Sequence, residues 1–232
     1  IERCQVETQY LEIETIFIGG GTPSLLKSKY IDLIVNALHK KHKIENVKEF
    51  TIEANPGEAS QKKLKNFLKL GINRLSIGVQ SLNPNILRFL TRTHSPNEVF
   101  KTFQDARNIG FKNINCDLLY SIPNQSWNRW SRDLIEIIKL KPDHISAYAL
   151  TSEKGTQLFK LIKEKKITMP SDEQKSKWFL DTHNMLKNNF YMPYEISSFS
   201  KKGYECQHNL NYWKILPYVG YGPSAYSYDG TK

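Results

Sequence analysis

Apolar residues along the chain fall into short runs of four to eight that alternate with longer amphipathic stretches. Thr15–Gly20 (TIFIGG), Glu49–Ala54 (EFTIEA), Arg74–Gln80 (RLSIGVQ), Asn113–Tyr120 (NINCDLLY) and His144–Leu150 (HISAYAL) have the length and β-branched content of buried strands. Between them, apolar positions recur at helical spacing: Ile31, Ile34, Val35 and Leu38 within Ser28–His39, and Leu64, Phe67 and Leu68 within Ser60–Leu70. The same holds for Asn97–Ile109, and for Ser126–Leu140 with Trp130, Leu134, Ile137 and Ile138. Gly71 and Gly110 stand where two of these helices must stop. Strand followed by helix, repeated along the chain, predicts parallel βαβ units and an α/β fold. After Thr151 the rhythm changes to two helical stretches, Leu158–Lys166 and Asp172–Asn189, an extended Tyr191–Ser200 and a polar, aromatic tail. The expected division is residues 1–151 and 152–232, the second part continuing on the same sheet.

The strand ends are where the pattern becomes chemical. The first runs into Gly19-Gly20-Gly21-Thr22-Pro23, the second into Glu53-Ala54-Asn55-Pro56, the third into Gln80-Ser81, while the fourth carries Asp117 and the fifth ends at Thr151. In a parallel sheet these ends share one rim, the edge at which such folds place ligands. The glycine run lets backbone approach a ligand closely and offers successive N–H groups, but it matches neither the dinucleotide fingerprint nor a phosphate-binding loop. Glu53 can accept from a ribose diol or an ammonium group, and Arg92 can pair with a carboxylate. A tight turn, a capping carboxylate and a surface ion pair are the structural alternatives for these three features. In the tail, His208-Asn209-Leu210-Asn211-Tyr212-Trp213 fits either a structural aromatic corner or a flat pocket in which a neutral imidazole faces haem iron. His39 and His42 are expected at the surface, His144 and His183 in structural roles.

Composition narrows the field. With 33 Lys+Arg against 23 Asp+Glu, the 232-residue chain carries a net charge of +10. Clusters such as Lys62-Lys63-Lys65 and Lys163-Lys165-Lys166 fall on polar helix sides, so a solvated surface rather than a nucleic-acid interface is expected. The 3 cysteines, Cys4, Cys116 and Cys206, are too scattered for a disulfide framework or a zinc site. They point to a reducing cytoplasm, and no signal peptide or membrane span is readable; membrane association is not readable from the sequence.

Taken together, Ile16–Ser24 (IFIGGGTPS), Thr51–Gly57 (TIEANPG), Gly71–Ser81 (GINRLSIGVQS), Asp117 with Ile122-Pro123-Asn124-Gln125, and Glu195–Trp213 resemble the radical S-adenosylmethionine (SAM) family. They are similar in particular to its oxygen-independent coproporphyrinogen III oxidase group. The resemblance implies a partial (β/α)6 TIM-like barrel, here lacking its first strand, with a C-terminal α+β extension. It implies that Gly20, Gly21 and Thr22 hold the methionyl end of SAM, that Glu53 contacts it, and that Gln80, Arg92 and Asp117 complete the rim. The H-N-x-x-Y-W pattern at His208–Trp213 is similar to the heme chaperone branch of the group. That implies haem as a ligand of His208, Tyr212 and Trp213 and a haem-accepting protein as partner, with oxidative decarboxylation of coproporphyrinogen III as the enzymatic alternative. The family's 4Fe–4S cluster uses a C-x3-C-x2-C loop that is missing here. The chain is therefore expected to be a fragment, with the first strand and the cysteine loop upstream of Ile1.

Overall fold

The computed structural model describes residues 12–231; Cys4 lies outside the described residues. Five parallel strands, β1 (Thr15–Ile18), β2 (Glu49–Ala54), β3 (Arg74–Gln80), β4 (Asn113–Tyr120) and β5 (His144–Ala149), lie side by side in chain order. Two short strands, β6 (Met192–Pro193) and β7 (Ser198–Ser200), extend the sheet beyond β5 in antiparallel sense. The order is β1-β2-β3-β4-β5-β7-β6. This is the expected α/β class with a mostly parallel sheet, and the extended stretch at Tyr191–Ser200 adds its two short strands to that sheet.

The connecting helices are α1 (Ser28–Lys41), α2 (Gln61–Lys69), α3 (Pro84–Phe89), α4 (Pro96–Ile109) and α5 (Trp127–Lys139). They are followed by α6 (Gln157–Lys163), α7 (Asp172–Asn188) and α8 (Gln207–Trp213). Local chemistry sets their ends. Ser95 and Glu98 close a reciprocal capping box at the start of α4, and Gly110, at φ 117°, ends it in the left-handed region. Three elements have no counterpart in the hydrophobic pattern: a 3-10 turn at Pro23–Leu25, α3, and α8.

The sheet has two unlike faces. Ile16, Ile52, Leu75, Ile77, Ile114, Cys116 and Ile145 point to the side covered by Leu64 and Phe67 of α2, Phe103 and Ala106 of α4, and Trp130, Leu134 and Ile137 of α5. Each fully buried aliphatic or aromatic side chain there stabilises the fold by about 1.5–3 kcal/mol. The alternate positions form the inner face, and most of them are polar. In register, Thr51, Arg74 and Asn113 make one row, while Glu53, Ser76, Asn115 and His144 make the next. Polar residues thus run the length of the strands rather than only terminating them: the strands are buried as expected, but one of their faces is polar.

One expectation is overturned. His42 is 1% exposed, not at the surface, because its Nε2 meets the Tyr221 hydroxyl at 2.7 Å and the tail folds over it. His39 is exposed as expected.

Candidate functional site at the strand rim and the inner face

The glycine run leaves β1 and bends back over β2. Gly20 and Gly21 adopt φ 79° and 81°, and no atom lies within 4 Å of where a side chain would begin at either. Their backbone therefore borders open space. The Gly20 N–H donates to Glu53 Oε2 at 3.1 Å. Burial, and after it the Asp117 charge, raises the Glu53 pKa, while the Gly20 hydrogen bond opposes the rise. Asp117 accepts from the Ser76 hydroxyl and the Asn115 amide, each at 2.8 Å. Asn55 Nδ2 donates to Thr22 Oγ1 at 3.1 Å. A side chain on Gly78 would sit 3.1 Å from both Asn55 Oδ1 and Gln80 Nε2, so Gln80 closes the same corner. Gly20, Thr22, Glu53, Gln80 and Asp117 are thus gathered at one end of the sheet. Arg92 is exposed in the α3–α4 loop, which His94 ties to the end of β3 by bonding the Val79 carbonyl at 3.1 Å; no hydrogen bond or ion pair joins Arg92 to the other five.

The tail residues assemble elsewhere. His208 Nδ1 lies 2.9 Å from Thr15 Oγ1, and its Nε2 lies 3.0 Å from the Tyr212 hydroxyl. Its ring stacks on Phe17 at 5.3 Å and meets Tyr212 edge-on at 5.0 Å. Burial lowers the His208 pKa, so the imidazole is held neutral. Trp213 is 56% exposed, and among the described residues it makes no ring contact with His208. The start of α8 is clamped by Glu49: Oε1 accepts from Cys206 Sγ (3.2 Å) and His208 N (3.1 Å), and Oε2 from Gln207 N (2.9 Å).

The two groups share the inner face. Glu49 and Glu53 are four residues apart on β2, about 13 Å along a strand. Phe17 fills part of the gap: one side stacks on His208, and its Cε1 would stand 2.6 Å from a Cβ at Gly19. Gly19 is therefore small for the benefit of Phe17, whereas Gly20 and Gly21 are small for their backbone angles. Between the two groups lies a hydrogen-bonded line that the strand-end pattern did not announce. Asn115 Oδ1 meets His144 Nδ1 at 2.7 Å and the Ser146 hydroxyl at 3.2 Å, and His144 Nε2 meets the Tyr194 hydroxyl at 2.7 Å. The signal for Ser76, Asn115, His144 and Ser146 was present as strict alternation within each strand.

Comparison with known proteins agrees with this geometry. The family model "Radical SAM superfamily" matches residues 5–136. The chain belongs to the radical SAM superfamily. Among curated proteins, "Heme chaperone HemW" of Buchnera aphidicola subsp. Schizaphis graminum is 43% identical, over 93% of this chain and 56% of the relative. "Heme chaperone HemW" of Escherichia coli (strain K12) is 37% identical over 93% and 56%. "Radical S-adenosyl methionine domain-containing protein 1, mitochondrial" of Danio rerio is 36% identical over 94% and 49%. The chain thus spans about half the length of the curated relatives it matches. Among solved structures, coproporphyrinogen III oxidase (HemN) from Escherichia coli superimposes with a TM-score of 0.78 at 24% identity, covering 93% of this chain and 52% of that one, which establishes a shared fold.

The superfamily's cofactors are SAM and a 4Fe–4S cluster, and the described residues differ in how they suit the two. The rim suits SAM: open glycine backbone, a desolvated carboxylate and further polar groups surround one space. The cluster has no home among the described residues, where no group of three His, Cys, Asp or Glu side chains could hold a metal ion. Cys116 and Cys206 are both buried, and burial raises both thiols, Cys206 to about 12. Among the described residues no helix is long and apolar enough to cross a membrane.

The raised Glu53 carboxyl carries a testable sign. A carboxyl whose folded-state pKa lies above the unfolded value stabilises the fold fully below that unfolded value, and the contribution is lost as pH rises through the folded one. Glu53→Gln removes this dependence. In the absence of SAM the variant is expected to match the parent in urea near pH 4 and to exceed it near pH 7 (round values about the ordinary carboxyl range). A stability difference that stays constant between the two would contradict the burial of Glu53.

Proposed function

We propose that the chain is the core of a heme chaperone of the radical SAM superfamily, a protein that binds haem and passes it to a haem-accepting protein. The similarity to two HemW heme chaperones over 93% of the chain carries this proposal. In it, residues 1–151 form the SAM-holding barrel, and residues 152–232 bring the haem-binding motif to the barrel's opposite end. Gly20, Gly21 and Thr22 hold the methionyl part of SAM by backbone and hydroxyl contacts. Glu53, Gln80 and Asp117 take its remaining polar groups, and Arg92 closes on its carboxylate from the neighbouring loop. When bound, SAM together with the superfamily's cluster would supply radical chemistry; the residues of this chain position and shield it.

For haem, the inner face prepares one nitrogen. Desolvation keeps His208 neutral, and with Nδ1–H donating to Thr15 Oγ1 the Nε2 lone pair faces the Tyr212 hydroxyl. Tyr212 is partly exposed and can swing aside, which frees Nε2 for iron without moving α8. The exposed Trp213 ring then offers an apolar face to the macrocycle.

Titration of the full-length protein with haem tests this. Wild type is expected to show a histidine-ligated Soret band, and His208→Ala to lose it along with at least about tenfold in affinity. Unchanged affinity and spectrum would remove His208 from the role. A full-length protein that bound no haem but formed protoporphyrinogen from coproporphyrinogen III under anoxic reducing conditions would replace the chaperone assignment with the dehydrogenase.

A further inference from the structure

We propose that Arg74 is an anion subsite inside the barrel and that its ligand is an organic carboxylate. The haem assignment above bears only on which molecule carries that carboxylate.

Arg74 is 2% exposed, and its Nε has no hydrogen-bond partner. Among the described residues it takes part in none of the ion pairs. A guanidinium cannot shed its proton, and a buried charge without a counter-charge is strongly unfavourable. None of the inner-face carboxylates, Glu49, Glu53 or Asp117, lies close enough to form an ion pair with it. Both oxygens of Glu49 are engaged by the start of α8, and both oxygens of Asp117 by Ser76 and Asn115.

The neighbours repeat the deficit. Thr51 and Asn113 lie directly across from Arg74 on β2 and β4, and Thr51 Oγ1 and Asn113 Oδ1 are buried without partners. Ser200, on the same face of β7, has an unpartnered hydroxyl as well. Unmet polar atoms gathered on one face mark a place prepared for a ligand or ordered water. A planar fork beside hydroxyl donors suits a carboxylate, and the cation itself excludes a metal ion.

A hollow of about 230 Å³ opens at the N-terminal ends of the strands, lined by Lys48, Glu49, Asn73 and Asn113 among others. It borders Asn113, the cross-strand neighbour of Arg74 in its row, and is of a size for a carboxylate-bearing arm, being smaller than pockets that enclose whole drug-sized ligands. The Arg74 charge is felt at His208 and Tyr194, so this row and the motif on α8 share one interior.

Binding of haemin and of haemin dimethyl ester to the full-length protein tests the subsite, alongside thermal unfolding with sodium propionate. Wild type is expected to bind haemin about 10- to 100-fold more tightly than the ester, the range of a charge-assisted bidentate pair. Arg74→Gln should bind both as wild type binds the ester, and Arg74→Lys, which keeps the charge but not the fork, should fall between. Should neither variant fold, Thr51→Val takes their place and is expected to narrow the preference. If wild type does not distinguish the two, or binds neither, propionate decides: an Arg74-dependent rise in Tm assigns the site to a small free carboxylate. A preference for haemin that survives in the variants overturns the proposal, as does the absence of both preference and propionate effect.

Discussion

Replacing Glu49 with alanine is expected to lower unfolding free energy by about 3 kcal/mol, the combined effect of stranding buried donors at roughly 1–3 kcal/mol each. Glu49 is 4% exposed and accepts from the Cys206 thiol and from the backbone N–H groups of Gln207 and His208. Alanine leaves all three without an acceptor. It also takes a negative charge from the inner face that holds the Arg74 guanidinium. The loss is expected to concentrate locally, because α8 is only 7 residues long and depends on this clamp. Amide exchange at Gln207–Trp213 should therefore accelerate more than exchange in β3 or β4. Glu49→Gln keeps an acceptor oxygen and should fall between alanine and wild type. A urea-derived loss below about 0.5 kcal/mol for alanine, the scale of ordinary surface changes, would show that α8 is held by other means.

Trp130→Ala is expected to be the most damaging change in the core, at about 3–5 kcal/mol, the usual range for removing a buried tryptophan. Trp130 is fully buried on α5, stacks on Tyr120 of β4 at 5.1 Å and donates from Nε1 to Thr182 Oγ1 of α7 at 2.8 Å. One side chain thus joins the parallel sheet to the C-terminal helices. Trp130→Phe isolates the polar part: it keeps most of the volume and leaves the buried Thr182 hydroxyl without its donor, for about 1 kcal/mol beyond the volume change. Equilibrium unfolding in urea measures both, and a loss under 1.5 kcal/mol for alanine would mean that the cavity collapses at small expense.

Periodicity located the five parallel strands and the longer helices because each of these elements satisfies its own pattern locally. It missed α3 and α8 for a physical reason. Each spans fewer than two turns, too short for an apolar stripe to repeat. α3 still had a local signal, Asn83 as cap followed by Pro84 at the first helical position. α8 had none, since its cap is a carboxylate 157 residues or more away in sequence. His42 was misplaced for a similar reason: its partner, Tyr221, is 179 residues distant. The polar rim was visible in the strand ends, and Gly20, Thr22, Glu53, Gln80 and Asp117 do converge there. What the strand ends concealed was the polar inner face. Arg74 and His144 open their strands and look like boundary residues, yet both are buried because neighbouring strands and the tail close over them. The distance between the rim and His208 follows from register and had no signal in the motifs themselves.

The two buried thiols have a practical consequence for sulfhydryl counting. Protonated and screened from solvent, Cys116 and Cys206 will resist maleimides and iodoacetamide while the fold persists, and will react once it opens. Alkylation before and after denaturation therefore reports foldedness residue by residue. It also lets sulfur that binds iron in a reconstituted sample be told apart from these two, which stay silent while the protein is folded.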